Sequence, residues 1–207
     1  MRPIRSVVVV IAVLALGGAT MAFAGSGGPG SGGDRYQGDD DRRGERGHDW
    51  RGRVASATLI DASGQRVGRV WMREDRRDDV VYLEARVDDL PAGFHGFHIH
   101  TTGRCDAPTF MSAGGHYNPT GASHGDHAGD LPSLLVTGEG DAFLATATDR
   151  FSIADLRDAD GSAVMVHSAR DNFANIPARY GGPDAETLST GDAGSRLACG
   201  VVRLIRR

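Results

Sequence analysis

The sequence predicts an all-β domain, built as a sandwich or a barrel. From residue 54 onward, short runs rich in aliphatic and aromatic residues are separated by turn-forming pairs such as Asp160-Gly161. Within residues 80–87, apolar and polar side chains alternate with a period of two, which is the period of a half-buried strand. Short strands separated by turn signals in this way are typical of sandwiches and barrels.

The runs predict eight strands in order along the domain. The fourth contains His98 and His100 and follows a turn at residues 88–93. A short helical turn is expected at residues 153–156, and the length from residue 54 is sufficient for one ordinary core. Before the fourth strand lie residues 54–60, 67–73 and 80–87, and after it lie residues 134–137, 142–151, 162–167 and 198–205.

The first 24 residues have the three parts of a secretory signal peptide. Arg2 and Arg5 form a basic start, residues 7–16 form an apolar stretch, and an A-x-A cleavage motif ends at Ala24. The apolar stretch is too short to span a bilayer, so we expect no stable membrane insertion after cleavage. We therefore expect a protein that is secreted or kept in a periplasmic or cell-wall space.

Residues 25–53 predict a flexible tether, and residues 54–207 form the predicted domain. The tether is Gly-rich, then dense in Asp and Arg, and it has too few aliphatic residues to order itself. The whole chain is 40% hydrophobic and 24% charged, as expected for a globular protein. Loss of residues 1–24 removes two Arg and no acid, which changes the net charge from −4 to −6 and argues against a nucleic-acid partner.

Six of the eight histidines lie within residues 93–130. His98 and His100 alternate along a predicted strand, so both imidazoles face one side while Phe97 and Ile99 face a core. Two neutral imidazoles held side by side suit copper or zinc. His95 has the opposite strand parity, so we expect it to form structural hydrogen bonds and not to bind metal.

A second set of candidate ligands follows in a Gly-rich, turn-rich stretch. After His116, the spacing of His124, His127 and Asp130 gives compact nitrogen and oxygen ligation of the kind that zinc prefers. Further along the chain, the apolar run of residues 163–167 ends in His167. Asp171 follows four residues later, where a carboxylate can orient imidazoles that bind metal.

Five motifs resemble the copper/zinc superoxide dismutase family: GFHIH, SAGGHYNP, HAGDLP, MVHS and GDAGSRLACGVV, in this order. The resemblance covers roughly residues 54–204. It implies a Greek-key β-barrel or sandwich of about eight antiparallel strands with long metal-binding and channel loops. It also implies copper and zinc as cofactors, and the dismutation of two superoxide anions to O2 and H2O2.

The resemblance assigns a role to each candidate ligand. It implies His98, His100, His116 and His167 as copper ligands, and His116, His124, His127 and Asp130 as zinc ligands, with His116 as the bridge. Asp171 resembles the carboxylate that links a copper ligand to a zinc ligand. The step from His124 to His127 is shorter than in the animal and plant members, which leaves Asp126 as an alternative to His124.

The resemblance also places two residues beside the substrate. Arg196 resembles the arginine next to copper, and with His116 it is the candidate catalytic residue. Thr190 resembles the threonine at the mouth of the channel. Residues 172–195 resemble the channel wall, but here they carry several acidic residues and lack the Lys-rich segment of the animal members.

The two cysteines follow a predicted secretory signal, which predicts one disulfide between Cys105 and Cys199. The alternative is two buried free thiols. A disulfide would close a loop of about 95 residues, worth about 4.7 kcal/mol on the chain-entropy model. It would also fix the loop between the copper ligands and His116 to the last predicted strand, three residues from Arg196, and so hold Arg196 in place.

Two alternatives to a copper/zinc enzyme remain open at this point. One is a non-catalytic copper/zinc-binding module of the same fold, which would usually have lost copper ligands or the arginine. The other is a copper-only enzyme, against which His116, His127 and Asp130 argue. A zinc hydrolase fits poorly because the chain has no H-E-x-x-H motif. Family members are homodimers or monomers, and the sequence does not choose between them.

Overall fold

The computed structural model describes residues 52–205, apart from residues 76 and 78. The predicted signal peptide and nearly all of the predicted tether lie outside this part of the chain. Within the described residues, the chain forms ten β-strands: β1 (Val54–Asp61), β2 (Arg66–Asp75), β3 (Val80–Val87), β4 (Gly93–His95), β5 (Phe97–His100), β6 (Leu134–Val136), β7 (Ala142–Thr148), β8 (Ala163–His167), β9 (Arg196–Val201) and β10 (Arg203–Leu204).

The strands form a curled antiparallel sheet in the order β5-β8-β9-β1-β2-β3-β7, and β10 also pairs with β1. A second, two-stranded sheet pairs β4 with β6. Sequence neighbours β7 and β8 are separated in the large sheet, because β7 forms one edge while β8 lies near the other, between β5 and β9. The predicted Greek-key, all-β architecture is therefore confirmed.

One continuous core fills the inside of the curled sheet. In β3 the buried and exposed positions alternate as the sequence predicts, so that Val81 and Leu83 point inward while Tyr82 is exposed. From β5, Phe97 and Ile99 are fully buried in the same core. His98 and His100 are equally buried but lie on the opposite face of the strand, so this short strand separates the apolar core from a polar interior.

Two predicted strands are each divided in the structure. The fourth becomes β4 and β5, which are separated at Gly96, and the last becomes β9 and β10. At Gly96 the backbone N–H donates to the carbonyl of Ala169 and the carbonyl accepts from the N–H of His167. A Cβ at Gly96 would lie 2.7 Å from the Cβ of Ala193, so the close approach of these loops requires glycine where β4 ends and β5 begins.

Short helical segments occupy the loops. The predicted helical turn is a 3-10 helix at Asp155–Arg157, which begins two residues and ends one residue later than expected. Two further 3-10 helices span Met111–Ala113 and Ala178–Tyr180, and α1 is the single turn Thr187–Thr190. Among the described residues, no helix has the length and apolar character needed to cross a membrane.

Candidate metal centre

The described residues place the candidate ligands in two groups that share His116. Within each group, one potential ligand atom per residue lies within 4.8 Å of the others. We call His98, His100, His116 and His167 the first group. We call His116, His124, His127 and Asp130 the second group.

Strand pairing and two isolated bridges bring these residues together. His167 ends β8, which pairs with β5 and so lies beside His98 and His100. The loop after β5 then folds back along that strand, with bridges between His98 and Asp130 and between His100 and His116. Strand pairing and backbone bridges therefore hold His116, Asp130 and His167 beside β5.

Two histidines of the first group point their unprotonated ring nitrogens toward each other. Nδ1 of His100 donates to the carbonyl of Gly114 at 2.9 Å, and Nδ1 of His167 donates to the carbonyl of Gly194 at 3.1 Å. Because Nδ1 carries the proton, Nε2 of each neutral ring offers a lone pair. The two Nε2 atoms lie 3.2 Å apart, an arrangement that suits a cation between them.

Asp130 organises the second group. Its Oδ1 lies 3.0 Å from Nδ1 of His116, and its Oδ2 accepts from the backbone N–H groups of Gly125 at 2.7 Å and His127 at 3.1 Å. Nδ1 of His127 lies 3.4 Å from Nδ1 of His116. One carboxylate and three imidazoles thus converge, which is a donor set typical of a four-coordinate zinc site.

Asp171 connects the two groups. Its Oδ2 accepts from Nε2 of His98 and its Oδ1 from Nε2 of His124, both at 2.7 Å. In each imidazole the other nitrogen, Nδ1, is buried and has no hydrogen-bond partner among the described residues. A buried nitrogen with a free lone pair, in a ring oriented by a carboxylate, is the arrangement found in metal-binding histidines. Both groups therefore fit a metal ion.

Burial keeps three imidazoles of the first group neutral. Desolvation lowers the pKa of His98 to about 4 and the pKa of His167 to about 3, and it holds the pKa of His100 well below its ordinary value. For Asp171, burial alone would raise the pKa, but the hydrogen bonds from His124 and His98 outweigh it and lower the pKa overall. At neutral pH His98, His100 and His167 are thus neutral and Asp171 is ionised, the forms that bind or orient metal ligands.

The first group opens into a cleft of about 760 Å³. Arg196 lines this cleft together with His100, His116 and His167. Its Nη1 donates to the carbonyl of Phe110 at 2.5 Å and its Nη2 to the carbonyl of Gly114 at 2.6 Å. The same Gly114 carbonyl accepts from His100. The guanidinium is therefore held in a fixed position at the open side of the first group.

The rim of the cleft is formed partly by the loop between β8 and β9. Thr190 lines the cleft, as do the acidic residues Glu186 and Asp192. Of the other charged residues in the loop, Asp184 and Arg179 are not among those that line it. The positive charge of Arg196 thus faces a rim that carries acidic side chains.

The predicted disulfide is confirmed, and the alternative of two free thiols is wrong. Cys105 and Cys199 are bonded, with their Cα atoms 5.6 Å apart and 94 residues apart in sequence. Cys199 lies on β9, three residues after Arg196. The bond therefore ties the loop after β5 to the strand that carries the arginine.

The structure distinguishes two residues that the sequence left as alternatives. His124 is buried and belongs to the second group, whereas the side chain of Asp126 is 85% exposed and faces Arg150.

His95 stands apart from both groups, with its ring nitrogens 2.7 and 2.8 Å from the carbonyl oxygens of His167 and Pro91. It therefore has the hydrogen-bonding role that its strand parity predicts.

The backbone groups that orient the ligands were not predicted from the sequence. The carbonyls of Gly114 and Gly194 fix the rings of His100 and His167. Both glycines lie inside motifs of the resemblance, but a motif shows side chains and does not show which carbonyl a distant imidazole reaches. Arg150, which contacts the loop of the second group, was also missed.

Comparison with known proteins agrees with this site. The sequence profile of the family described as copper/zinc superoxide dismutase matches residues 66–202. A Cu-Zn superoxide dismutase of Mycobacterium tuberculosis is 46% identical over 140 residues, covering 59% of this chain and 58% of the relative. Another from Aquifex aeolicus is 32% identical over 161 residues, covering 72% of this chain and 86% of the relative. The chain thus spans less than two thirds of the mycobacterial relative.

Solved structures give the same class. A SOD-like protein from Bacillus subtilis superimposes with a TM-score of 0.60 at 30% identity, over 70% of this chain and 96% of that one. The fold and the paired histidine groups define a β-barrel metalloprotein of the superoxide dismutase type. The chain belongs to the copper/zinc superoxide dismutase family. Copper and zinc are the metals of that family, and the two groups supply donors suited to both.

Proposed function

We propose that this chain is an enzyme that converts two superoxide anions and two protons into O2 and H2O2. Copper would be held by the first group and zinc by the second, with His116 shared as the bridge. The observation that carries the proposal is the asymmetry of the two groups. The first group consists of imidazoles alone and opens into a cleft beside Arg196, whereas the second adds the carboxylate of Asp130 to its imidazoles, a donor set that suits zinc.

When bound, copper supplies one-electron exchange, oxidising one superoxide and reducing the next, while zinc has no redox chemistry of its own. Arg196 attracts the anion and hydrogen-bonds to it. Its two carbonyl contacts hold the guanidinium in place before the substrate arrives, so little ordering is needed at that moment. Because the chain has a net charge of −4, this local charge must outweigh long-range repulsion of the substrate.

His116 is suited to hold and release a proton. Its Nδ1 is turned to Asp130 and His127 in the second group, which leaves Nε2 as the atom that can carry a proton on the cleft side. A metal and a carboxylate on the Nδ1 side would keep the ring oriented, so that Nε2 could hold copper when it is deprotonated and, when it is released, could carry a proton to the reduced substrate.

The complete first group supports an enzyme over a non-catalytic metal-binding module. All four histidines are present in one cluster, and Arg196 lines the cleft beside them. The second group, with three histidines and Asp130, likewise supports a copper and zinc protein over a copper-only one. The disulfide between Cys105 and Cys199 supports an extracytoplasmic location, since such bonds persist in oxidising compartments.

The test is the rate of superoxide decay with the metal-loaded protein. We expect fast decay that is lost in the variant His100→Ala and lost in the unmodified protein after metal chelation. Adding back zinc and then copper to the chelated protein should restore the rate, which separates loss of metal from loss of folding. Slow decay with both metals bound in stoichiometric amounts would refute the enzyme and favour the non-catalytic module.

A further inference from the structure

Arg150 contacts the loop between His124 and Asp130, which carries three ligands of the second group. It lies two residues after the end of β7, and its Nη1 donates to the carbonyl oxygens of Gly125 at 3.1 Å and His127 at 3.2 Å. Its Nη2 lies 3.7 Å from the carboxylate of Asp126. One guanidinium therefore contacts three consecutive residues of the segment between His124 and Asp130.

The same segment is held from inside by Asp130. Its Oδ2 accepts from the backbone N–H groups of Gly125 and His127, the two residues whose carbonyls Arg150 contacts. Gly125 has a φ of +90°, a conformation that favours glycine. The backbone at both residues is thus fixed by an anion on one side and a cation on the other.

The ion pair with Asp126 and the hydrogen bonds to the two carbonyls contribute differently to the order of this segment. Asp126 is 85% exposed, and an ion pair at such a position contributes little. The bonds to the two carbonyls instead fix the backbone that carries His124 and His127, both of which are buried in the second group. Hydrogen bonds from a charged donor to such carbonyls are stronger than neutral ones.

We propose that Arg150 is a positioning residue for zinc, which acts through the loop backbone to hold His124 and His127 ready for the metal. The proposal rests on zinc occupying the second group. Arg150 itself touches neither the metal nor the substrate. Its contribution is to order a short, turn-rich segment before the metal binds, so that less of the zinc-binding free energy is used to order the ligands.

The experiment uses the metal-loaded full chain and the variants Arg150→Gln, Asp126→Asn and Arg157→Gln. Arg157 is an exposed arginine in the 3-10 helix after β7, so its variant makes the same charge change away from the loop. Zinc affinity is measured by competition with a chromogenic chelator. Cobalt placed in the zinc position gives a visible spectrum that reports the ligand geometry.

We expect Arg150→Gln to lower zinc affinity roughly 10- to 100-fold, the range for partners that orient metal ligands, and to alter the cobalt spectrum. Asp126→Asn and Arg157→Gln should match the unmodified protein in both measurements. Unchanged zinc affinity in Arg150→Gln would overturn the proposal, even if its metal-free form melts earlier, because the residue would then be merely structural.

Two other outcomes would also overturn it. An equal loss in Asp126→Asn would assign the effect to the ion pair, and an equal loss in Arg157→Gln would assign it to net charge. If the unmodified chain binds neither zinc nor cobalt, the zinc site itself fails, and that failure is distinguishable because it appears before any variant is compared.

Discussion

Replacing Asp171 with asparagine should weaken copper binding more than zinc binding. The carboxylate accepts from His98 through Oδ2, and from both His124 and the backbone N–H of Phe173 through Oδ1, each at 2.7 Å. An asparagine can keep only one oxygen. That oxygen belongs at the Oδ1 position, where two donors converge, so the new amide N–H₂ would face Nε2 of His98.

Two donors would then oppose each other at His98. The ring can relieve this by moving its proton to Nδ1, the buried nitrogen that has no other partner among the described residues. A proton there occupies the lone pair offered to the first group. We expect copper affinity to fall roughly 10- to 100-fold, equivalent to about 1.4 to 2.8 kcal/mol, while zinc affinity falls by less.

The assay is chelator competition for each metal, with the exposed Asp160→Asn as the matched control. A larger loss of zinc than of copper in Asp171→Asn would refute the proposed orientation of the amide. Equal affinities for both metals in the variant and the unmodified protein would refute the linking role of Asp171 altogether.

Three other predictions follow from the site. Arg196→Gln should slow superoxide decay and flatten its dependence on salt, because the local attraction for the anion is lost. Stopped-flow measurements at several ionic strengths test this, and an unchanged rate with an unchanged salt dependence would contradict it. The pKa values of His98 and His167 lie below the unfolded value of about 6.5, so the unfolded chain takes up protons first as the pH falls. The metal-free protein should therefore lose stability as the pH falls from about 6.5 towards 4. A free energy of unfolding that does not change with pH in denaturant titrations would argue against neutral buried rings. The double variant Cys105→Ser, Cys199→Ser should have a free energy of unfolding about 4 to 5 kcal/mol lower than the unmodified protein, on the chain-entropy model. Urea titration of the metal-free protein measures this difference, and a difference below about 1 kcal/mol would contradict the prediction.

Local patterns predicted the parts of the structure that depend on side-chain period. The alternation in residues 80–87 gave the inward and outward faces of β3. The same parity argument placed His98 and His100 on one face and assigned His95 to hydrogen bonding. Each of these depends only on the two-residue repeat of a strand, so neighbouring residues were sufficient.

The parts that failed depend on contacts between distant segments. The break at Gly96 is set by close packing against Ala193, nearly a hundred residues away. The orientation of His100 depends on the carbonyl of Gly114, and the loop of the second group depends on Arg150. A single sequence records none of these pairings, because backbone acceptors leave no residue-type signal.

The carbonyl of Gly114 makes two properties of this protein inseparable. It accepts from Arg196, the proposed substrate-binding residue, and from His100, a proposed copper ligand. Gly114 has a φ of +75°, and a Cβ there would lie 2.3 Å from Oγ1 of Thr101, so the peptide tolerates little change. Any redesign of residues 101–115 that moves this oxygen would change electrostatic attraction and metal affinity together, so a substitution in this segment could not be selected for one of them alone.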